Sequence, residues 1–251
     1  MPHLRFAAPK KDRVAVVTGG ARGIGRACAV RIAEEGRHVV IADVLDSGLQ
    51  VAHQIEMLGQ RALFIETDVS DEAAVRHMVA QTIEAFGRLD ILVCCAGTLG
   101  KEAPFLEQTS EMFDRVMKIN LYGVWYAHHA AIPHMLEHGW GRCVTITSAA
   151  RLGATHVPPY GVSKGAVWSL IAALGNAYAR QGVFVNGVEP GRALTDMVVP
   201  RFSAEHLADP PGVAVGRYAD PEEVAEVVEF LASERNTYTT GSVWSVKGAT
   251  G

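Results

Sequence analysis

Tyr160 and Lys164 stand four residues apart in Tyr160-Gly161-Val162-Ser163-Lys164, directly after Pro158 and Pro159. Proline suits the first turn of a helix, where its missing N–H removes nothing. From there to about residue 181 the chain is rich in Ala, Leu, Val and Ser with no internal proline, so it reads as one long helix. Residues at i and i+4 share a helix face. An ammonium near a phenol favours the phenolate and lowers a pKa that is ordinarily ~10. That pairing makes a usable general acid/base, and Ser148 a short way upstream adds a hydroxyl. Two such residues also meet by accident on a helix surface, so the rest of the chain must decide.

A second group of residues suits a phosphate. Thr18-Gly19-Gly20-Ala21-Arg22-Gly23-Ile24-Gly25 falls between an apolar β-rich run and a helical pattern. Glycines allow a tight turn and a close approach of phosphate oxygens to the backbone. The helix N-terminus adds unpaired N–H donors and partial positive charge, which suits a dinucleotide pyrophosphate. The next apolar run ends at Asp43, about the distance on at which an acidic residue takes ribose hydroxyls. An acid there accepts from a 2′-OH and repels a 2′-phosphate, which favours NAD over NADP. Arg22 argues the other way, since a basic side chain in this turn suits a 2′-phosphate. Asp43 is the more geometrically fixed of the two, so NAD is the expected cofactor. A strand-end cap is the bland alternative for Asp43.

Short β-rich runs alternate with helical patterns along the whole chain, which points to an α/β, doubly wound, parallel sheet with helices on both faces. Strands are expected at 14–18, 39–42, 62–66, 91–93, 143–147, 183–188 and 242–246. Helices are expected at 23–36, 46–58, 110–138, 160–181 and 221–233, with an irregularity near Pro133, and one from the Ser70-Asp71 cap to Phe86. Residues 1–11 read as a tail rather than a signal peptide, and 1–251 as a single domain. The one irregular stretch, 192–218, carries Pro200, Pro210 and Pro211, is too long for a plain connection and reads as a lid.

The chain is 49% hydrophobic with a net charge of −4 and no run of Lys or Arg, which argues against a nucleic-acid partner. No apolar run approaches the ~20 residues of a membrane span, so a soluble, cytoplasmic protein is expected. Cys28, Cys94, Cys95 and Cys143 lack a ligand spacing; Cys28 and Cys143 fall in apolar patterns and read as core residues. The adjacent Cys94 and Cys95 allow a strained vicinal disulfide, which the reading disfavours. His128 and His129 fall inside a helical stretch, and no metal site is expected.

Taken together, these residues resemble the short-chain dehydrogenase/reductase family from Arg13 to about Gly248. The resemblance rests on the glycine turn, Asp68-Val69, Asp90-Ile91-Leu92-Val93-Cys94-Cys95-Ala96-Gly97, Asn120 in Lys118-Ile119-Asn120-Leu121-Tyr122-Gly123, Ser148, the Tyr160/Lys164 pair, and Pro190-Gly191 followed by Thr195. Each is weak alone; their joint order is specific. The Tyr–Lys gap disfavours the enoyl-reductase branch, and the short C-terminal part disfavours the extended sugar-epimerase branch. The resemblance implies a three-layer Rossmann fold with a seven-stranded sheet, and hydride transfer between a nicotinamide and a carbinol or carbonyl carbon.

The resemblance also implies roles. Asp68 takes the adenine amino group and Val69 offers backbone. Cys95, Ala96 and Gly97 face the cofactor ribose. Asn120 holds a water that links Lys164 to solvent. Ser148 bonds the substrate oxygen, Tyr160 exchanges the proton, and Lys164 binds the ribose and keeps Tyr160 acidic. Pro190, Gly191, Ala193 and Thr195 border the carboxamide, and Asp90 supports the turn around the adenine pocket. The family usually has Asn-Asn where Cys94-Cys95 stands, so some stability loss is expected. It usually has Asp-Gly-Gly where Lys247-Gly248-Ala249 stands, and smaller residues at Glu189, which had no physical account from sequence.

The pocket is expected around Thr98, Leu99, Arg151, Leu152, His156, Val157, Arg192, Met197, Val198, Val199 and Phe202, which suits a medium, mostly apolar secondary alcohol or ketone. Arg151 and Arg192 either leave room for an acidic group or face solvent or a neighbouring subunit. Two alternatives stay open: an NADP-linked carbonyl reductase of the 3-oxoacyl type, and a nicotinamide-binding protein with vestigial catalysis. The helices at 110–138 and 160–181 are too apolar to leave a face in water, and by resemblance a homo-oligomer, often a tetramer, is expected.

Overall fold

The computed structural model describes residue 10 and residues 12–249, so the expected tail, Lys10 apart, lies outside the described residues. Seven strands form one sheet: β1 Val14–Thr18, β2 His38–Asp43, β3 Ala62–Glu66, β4 Ile91–Cys94, β5 Gly141–Ile146, β6 Val183–Pro190 and β7 Val243–Val246. All pairings are parallel, in the order β3-β2-β1-β4-β5-β6-β7. The strand order reverses between β1 and β4. In a doubly wound sheet the crevice beyond the strand C-termini at that reversal is where ligands bind.

The helices are α1 Gly23–Glu34, α2 Gly48–Met57, α3 Glu72–Phe86, α4 Ser110–Met117, α5 Gly123–Glu137, α6 Pro158–Tyr178, α7 Ala204–Ala208 and α8 Pro221–Ala232. Strands buried on both faces read as continuous apolar runs, and β1 is buried at every position. One core joins the sheet to α1, α2 and α8 through Ile32, Ile55, Val228 and Leu231. The other joins it to α3, α5 and α6 through Met78, Ala131, Met135 and Ile171. The ends are stopped by local chemistry. Asp71 accepts the Ala73 N–H at the start of α3, and Gly87 closes it in the left-handed conformation. Asp220 and Glu223 form a reciprocal capping box on α8.

The expected helix at 110–138 is not continuous. Its irregularity lies at Lys118–Tyr122, a turn of π-helix between α4 and α5, while Pro133 sits inside α5. A π-turn displaces one residue from the helical ladder and often marks a functional position. Here it carries Asn120.

The stretch at 192–218, expected as a lid, is folded rather than extended. Leu194 N–H donates to Ala219 O, Ala219 N–H to Arg192 O, and Val215 N–H to Gly248 O. Phe202 and His206 stack at 4.5 Å between centroids, beside a buried Tyr218.

The N-terminal edge of the sheet holds charge rather than a site. Arg13 bonds Asp90 at 2.8 Å, Arg88 bonds Asp90 at 2.7 Å, and Arg37 bonds Glu229 at 3.0 Å. Asp90 also accepts the Val14 N–H. Asp90 is thus structural, but at the edge opposite the glycine turn: it precedes β4 and pins the start of β1. The expectation that it supports an adenine pocket is not met.

His128 of α5 is 2% exposed, donates Nδ1–H to Val124 O, and leaves Nε2 without a partner. Burial holds its pKa below the ordinary value of 6.5. The unfolded chain then binds the proton more readily, so the stability contribution is whole above pH ~6.5 and is lost as pH falls toward the folded pKa. Thermal melts across pH ~7 to ~5 should show His128→Leu losing less stability than the wild type; identical declines would contradict this.

Candidate active site

The glycine turn crowds its own backbone so closely that side chains would not fit. Gly19 has φ +68°, and a Cβ there would lie 2.6 Å from Ala96 N; one at Gly25 would lie 2.0 Å from Gly19 O. The turn is held by Asp43, whose Oδ2 accepts the Ala21 N–H at 3.0 Å and whose Oδ1 accepts the Leu45 N–H at 3.1 Å. Arg22 is the N-cap of α1, in extended conformation, with no side-chain cap and no acidic residue in the first turn. An uncapped helix start over a glycine cradle fits a dinucleotide pyrophosphate. The Arg22 side chain points instead to the lid, 3.8 Å from Asp196. Thr195 also reaches the turn, its side chain 3.4 Å from where a Gly23 Cβ would sit. The lid root and the glycine turn therefore share one wall. Ile24 faces the core under the turn.

Asp68 sits beyond β3, exposed, with Oδ1 already accepting from Ser70 N and Oγ; Val69 is buried, against Gly123. Gly191 N–H donates to Val246 O at 2.7 Å, tying the Pro190-Gly191 bend to β7.

Asn120 is fully buried, and both its amide oxygen and its amide nitrogen are hydrogen-bonded. Oδ1 accepts the Thr98 N–H at 2.8 Å; Nδ2 donates to Thr98 O at 2.9 Å and to Ser163 Oγ at 3.0 Å. The side chain clamps Thr98 and does not bond Lys164. Lys164 is 5% exposed and donates to Ile146 O at 2.8 Å. Burial brings its pKa down to about 8, with the Cys95 and Cys94 thiols acting the other way. Gly97 lies between the two: a Cβ there would be 3.4 Å from Asn120 Oδ1 and 3.8 Å from Lys164 Nζ.

Tyr160 and Lys164 share a face of α6, with Nζ 5.7 Å from the phenol ring centroid. Burial raises the Tyr160 pKa, opposed by the Ser148 hydroxyl. In the chain alone burial is the larger influence on the phenol. Ser148 opens a 3₁₀ turn, Ala149–Leu152, in which its Oγ accepts the Ala150 N–H at 3.2 Å. A Cβ at Gly161 would lie 2.7 Å from Ala150 O, so this turn rests directly on the start of α6.

A family model described as Enoyl-(Acyl carrier protein) reductase matches residues 19–249. The chain is 37% identical to a cis-4-hydroxycyclohexanecarboxylate dehydrogenase of Sinomonas cyclohexanicum, over 94% of this chain and 96% of that one. It is 35% identical to a 2-dehydro-3-deoxy-L-rhamnonate dehydrogenase (NAD(+)) of Sphingomonas sp. (strain SKA58), over 97% of each. The crystal structure of levodione reductase superposes with a TM-score of 0.89 at 34% identity, covering 94% of this chain and 96% of that one. The chain belongs to the short-chain dehydrogenase/reductase family.

This short-chain dehydrogenase departs from the sequence expectation at several positions. Cys94 is buried between Thr18 of β1 and Thr145 of β5, and burial pushes its thiol up to about 12. The Thr145 and Thr18 hydroxyls lie against the thiol and work against that burial. All four cysteines are free thiols, so the vicinal disulfide is absent. Arg151 does not stand free to meet a substrate: Nε bonds Glu189 Oε2 at 2.8 Å. Arg192 bonds within the 192–218 stretch, through Pro211 O at 3.3 Å and His206 at 3.4 Å, and has no carboxylate partner among the described residues. Met197 and Phe202 lie on the lid, 40% and 37% exposed. Sequence reasoning missed Ser163, which bridges Asn120 to the Tyr160 carbonyl at 2.7 Å. A helix serine bonding back three residues has no distinctive sequence signal. It also missed Glu102 of the loop after β4, which pairs with Arg201 of the lid.

Proposed function

We propose that this chain oxidises a ring-bearing secondary alcohol to its ketone with NAD. The observation that carries the reading is the convergence of Ser148, Tyr160 and Lys164 at the C-terminal edge of the sheet, beside an uncapped helix start over a glycine cradle. Gly19, Arg22, Gly23, Ile24 and Gly25 would hold the pyrophosphate, Asp43 the adenosine ribose, Asp68 and Val69 the adenine, and Cys95, Ala96, Gly97 and Lys164 the second ribose. Pro190, Gly191, Ala193 and Thr195 would border the carboxamide. When bound, the oxidised nicotinamide supplies the hydride acceptor.

The chain's own residues move the proton and hold the oxygen. Tyr160 Oη takes the alcohol proton as phenolate and returns one to a ketone as phenol. Ser148 Oγ–H donates to the substrate oxygen as charge develops there. The buried Lys164 ammonium favours the phenolate once further positive charge joins the site. The Asn120 amide keeps Thr98 and the floor beneath the substrate in place.

Asp43 supports NAD, because a carboxylate tethered to the glycine turn repels a 2′-phosphate. Arg22, drawn to Asp196, is not placed for one. A relative named for a hydroxycyclohexanecarboxylate supports a ring alcohol, and the apolar lid residues suit one. With Arg151 tied to Glu189, an acidic group on the substrate would fall to Arg192.

On the opposite flank, α5 and α6 border an apolar groove of about 550 Å³ lined by Leu121, Tyr122, Trp125, Tyr126, Leu170 and Ala173. Tyr122 and Trp125 are about half exposed there, 49% and 51%. A second copy covering this groove fits a homo-oligomer, with a tetramer the expected form. Light scattering at micromolar concentration should give more than one chain per particle; a monomer would contradict this.

The functional reading is tested by assaying cyclic secondary alcohols, with and without a carboxylate, against NAD and NADP in wild type and Asp43→Ala. Reduced nicotinamide should form with ring alcohols, with kcat/KM favouring NAD by about tenfold or more and Asp43→Ala narrowing that preference. A wild-type preference for NADP would overturn the cofactor assignment. Absence of turnover across the panel, and of ketone reduction in the reverse direction, would overturn the dehydrogenase reading.

A further inference from the structure

We propose that Glu189 is a positioning residue that sets Ser148 against the substrate, acting through Arg151. The proposal rests on the dehydrogenase reading for its catalytic part. Glu189 lies at the end of β6, one residue before Pro190-Gly191, with a side chain 1% exposed. A carboxylate is seldom so buried unless paired. Both its oxygens are engaged: Oε2 accepts from Arg151 Nε at 2.8 Å, and Oε1 accepts from Lys247 Nζ at 3.0 Å and Ser245 Oγ at 3.2 Å. Burial raises its pKa and the two cations lower it, and the cations win, so it stays ionised.

What the carboxylate holds is the Ser148 turn. Arg151 is the third residue of Ala149–Leu152, the 3₁₀ turn that Ser148 caps, and Arg151 N–H donates back to Ser148 O at 3.2 Å. The turn thus has anchors on three sides. Beneath it, Ala150 O packs on Gly161, next to Tyr160. Beside it, the Arg151 guanidinium lies over the ring of Trp168 of α6, 5.4 Å from the centroid. Across from it, Glu189 ties the turn to the strand that runs into Pro190-Gly191. Through β7, Lys247 and Ser245 fix the carboxylate in turn. One buried acid therefore registers the residue that would bind the substrate oxygen against the segment that would border the nicotinamide. A catalytic hydroxyl held out of place by an ångström or less loses much of its effect, so this anchoring should be read in kcat. Glu189 touches neither substrate nor the reacting atoms; it acts only through Arg151.

The geometry also accounts for two of the family departures at once. Lys247, where an acidic residue is usual, and Glu189, where small residues are usual, are partners in a single ion pair.

The test is a double-mutant cycle on Glu189→Gln and Ser148→Ala, with NADH binding measured alongside turnover. Glu189→Gln should lower kcat about tenfold in the Ser148 background and less than about twofold in the Ser148→Ala background, with NADH affinity unchanged in both. Equal losses in the two backgrounds, or a loss confined to NADH binding, would overturn the proposal. Arg151→Met attacks the same contact from its more exposed side and should show the same non-additivity; it serves if Glu189→Gln does not fold. A readout independent of activity separates the proposal from the functional reading: amide hydrogen exchange at Arg151 and Gly153 should accelerate in Glu189→Gln while exchange in β1 does not change. Unchanged exchange at those amides would overturn the anchoring, whereas a wild type without turnover but with accelerated exchange in the variant would leave the anchoring standing and remove its catalytic meaning.

Discussion

Burying an ammonium is costly, and the structure around Lys164 is shaped by that cost. The side chain is 5% exposed, and among the described residues its one hydrogen-bonded acceptor is the Ile146 carbonyl at the end of β5. A cation so placed loses affinity for its proton, which is why its pKa drops to about 8. Neighbouring groups leave room for further acceptors. Gly97 has no side chain where one would meet Nζ, and Asn120 holds Thr98 back by its main chain on both sides. The same burial raises the Tyr160 pKa. The chain by itself therefore keeps a phenol and a weakened ammonium side by side. On the proposed reading, positive charge entering the site would favour the phenolate over the phenol.

The second constraint is closeness of backbone. At the reversal of strand order the β1 turn, the β4 end and α1 meet with no space for a Cβ at Gly19 or Gly25. Asp43 ties the turn to β2 through the Ala21 N–H. The lid leans on the same turn through Thr195 and through Arg22 and Asp196. The Arg201–Glu102 pair adds a tie between the 192–218 stretch and the loop after β4. The charged groups that only stabilise, Arg13, Arg37, Asp90, Glu229 and Glu234, are gathered at the far edge of the sheet.

The fold was legible because doubly wound proteins write it locally. Runs such as Val14–Thr18 and Val183–Pro190 alternate with capped helices, and each glycine stop falls where a left-handed residue is required. The Tyr160/Lys164 pair and the glycine turn were legible for the same reason, since their spacing is within one element. What the sequence could not convey was tertiary. Asp90 looked like part of the adenine end because it adjoins Cys94-Cys95-Ala96-Gly97, yet it lies one strand length away, at the other edge. The break in the 110–138 helix came at Asn120 and not at Pro133, because amide bonds to Thr98 and Ser163 favour a π-turn that no local propensity encodes. Arg151 looked available to a substrate because its partner, Glu189, is 38 residues on.

Tyr160 is proposed to move the proton at a site whose binding elements are independent of the phenol oxygen. Tyr160→Phe removes that one atom and leaves the ring that packs against Lys164. Turnover and NADH binding measured side by side on this variant should show kcat lower by about 10²–10⁴-fold with NADH affinity retained. A variant that turns over at the wild-type rate while binding NADH normally would contradict the assignment of Tyr160 and the mechanism built on it.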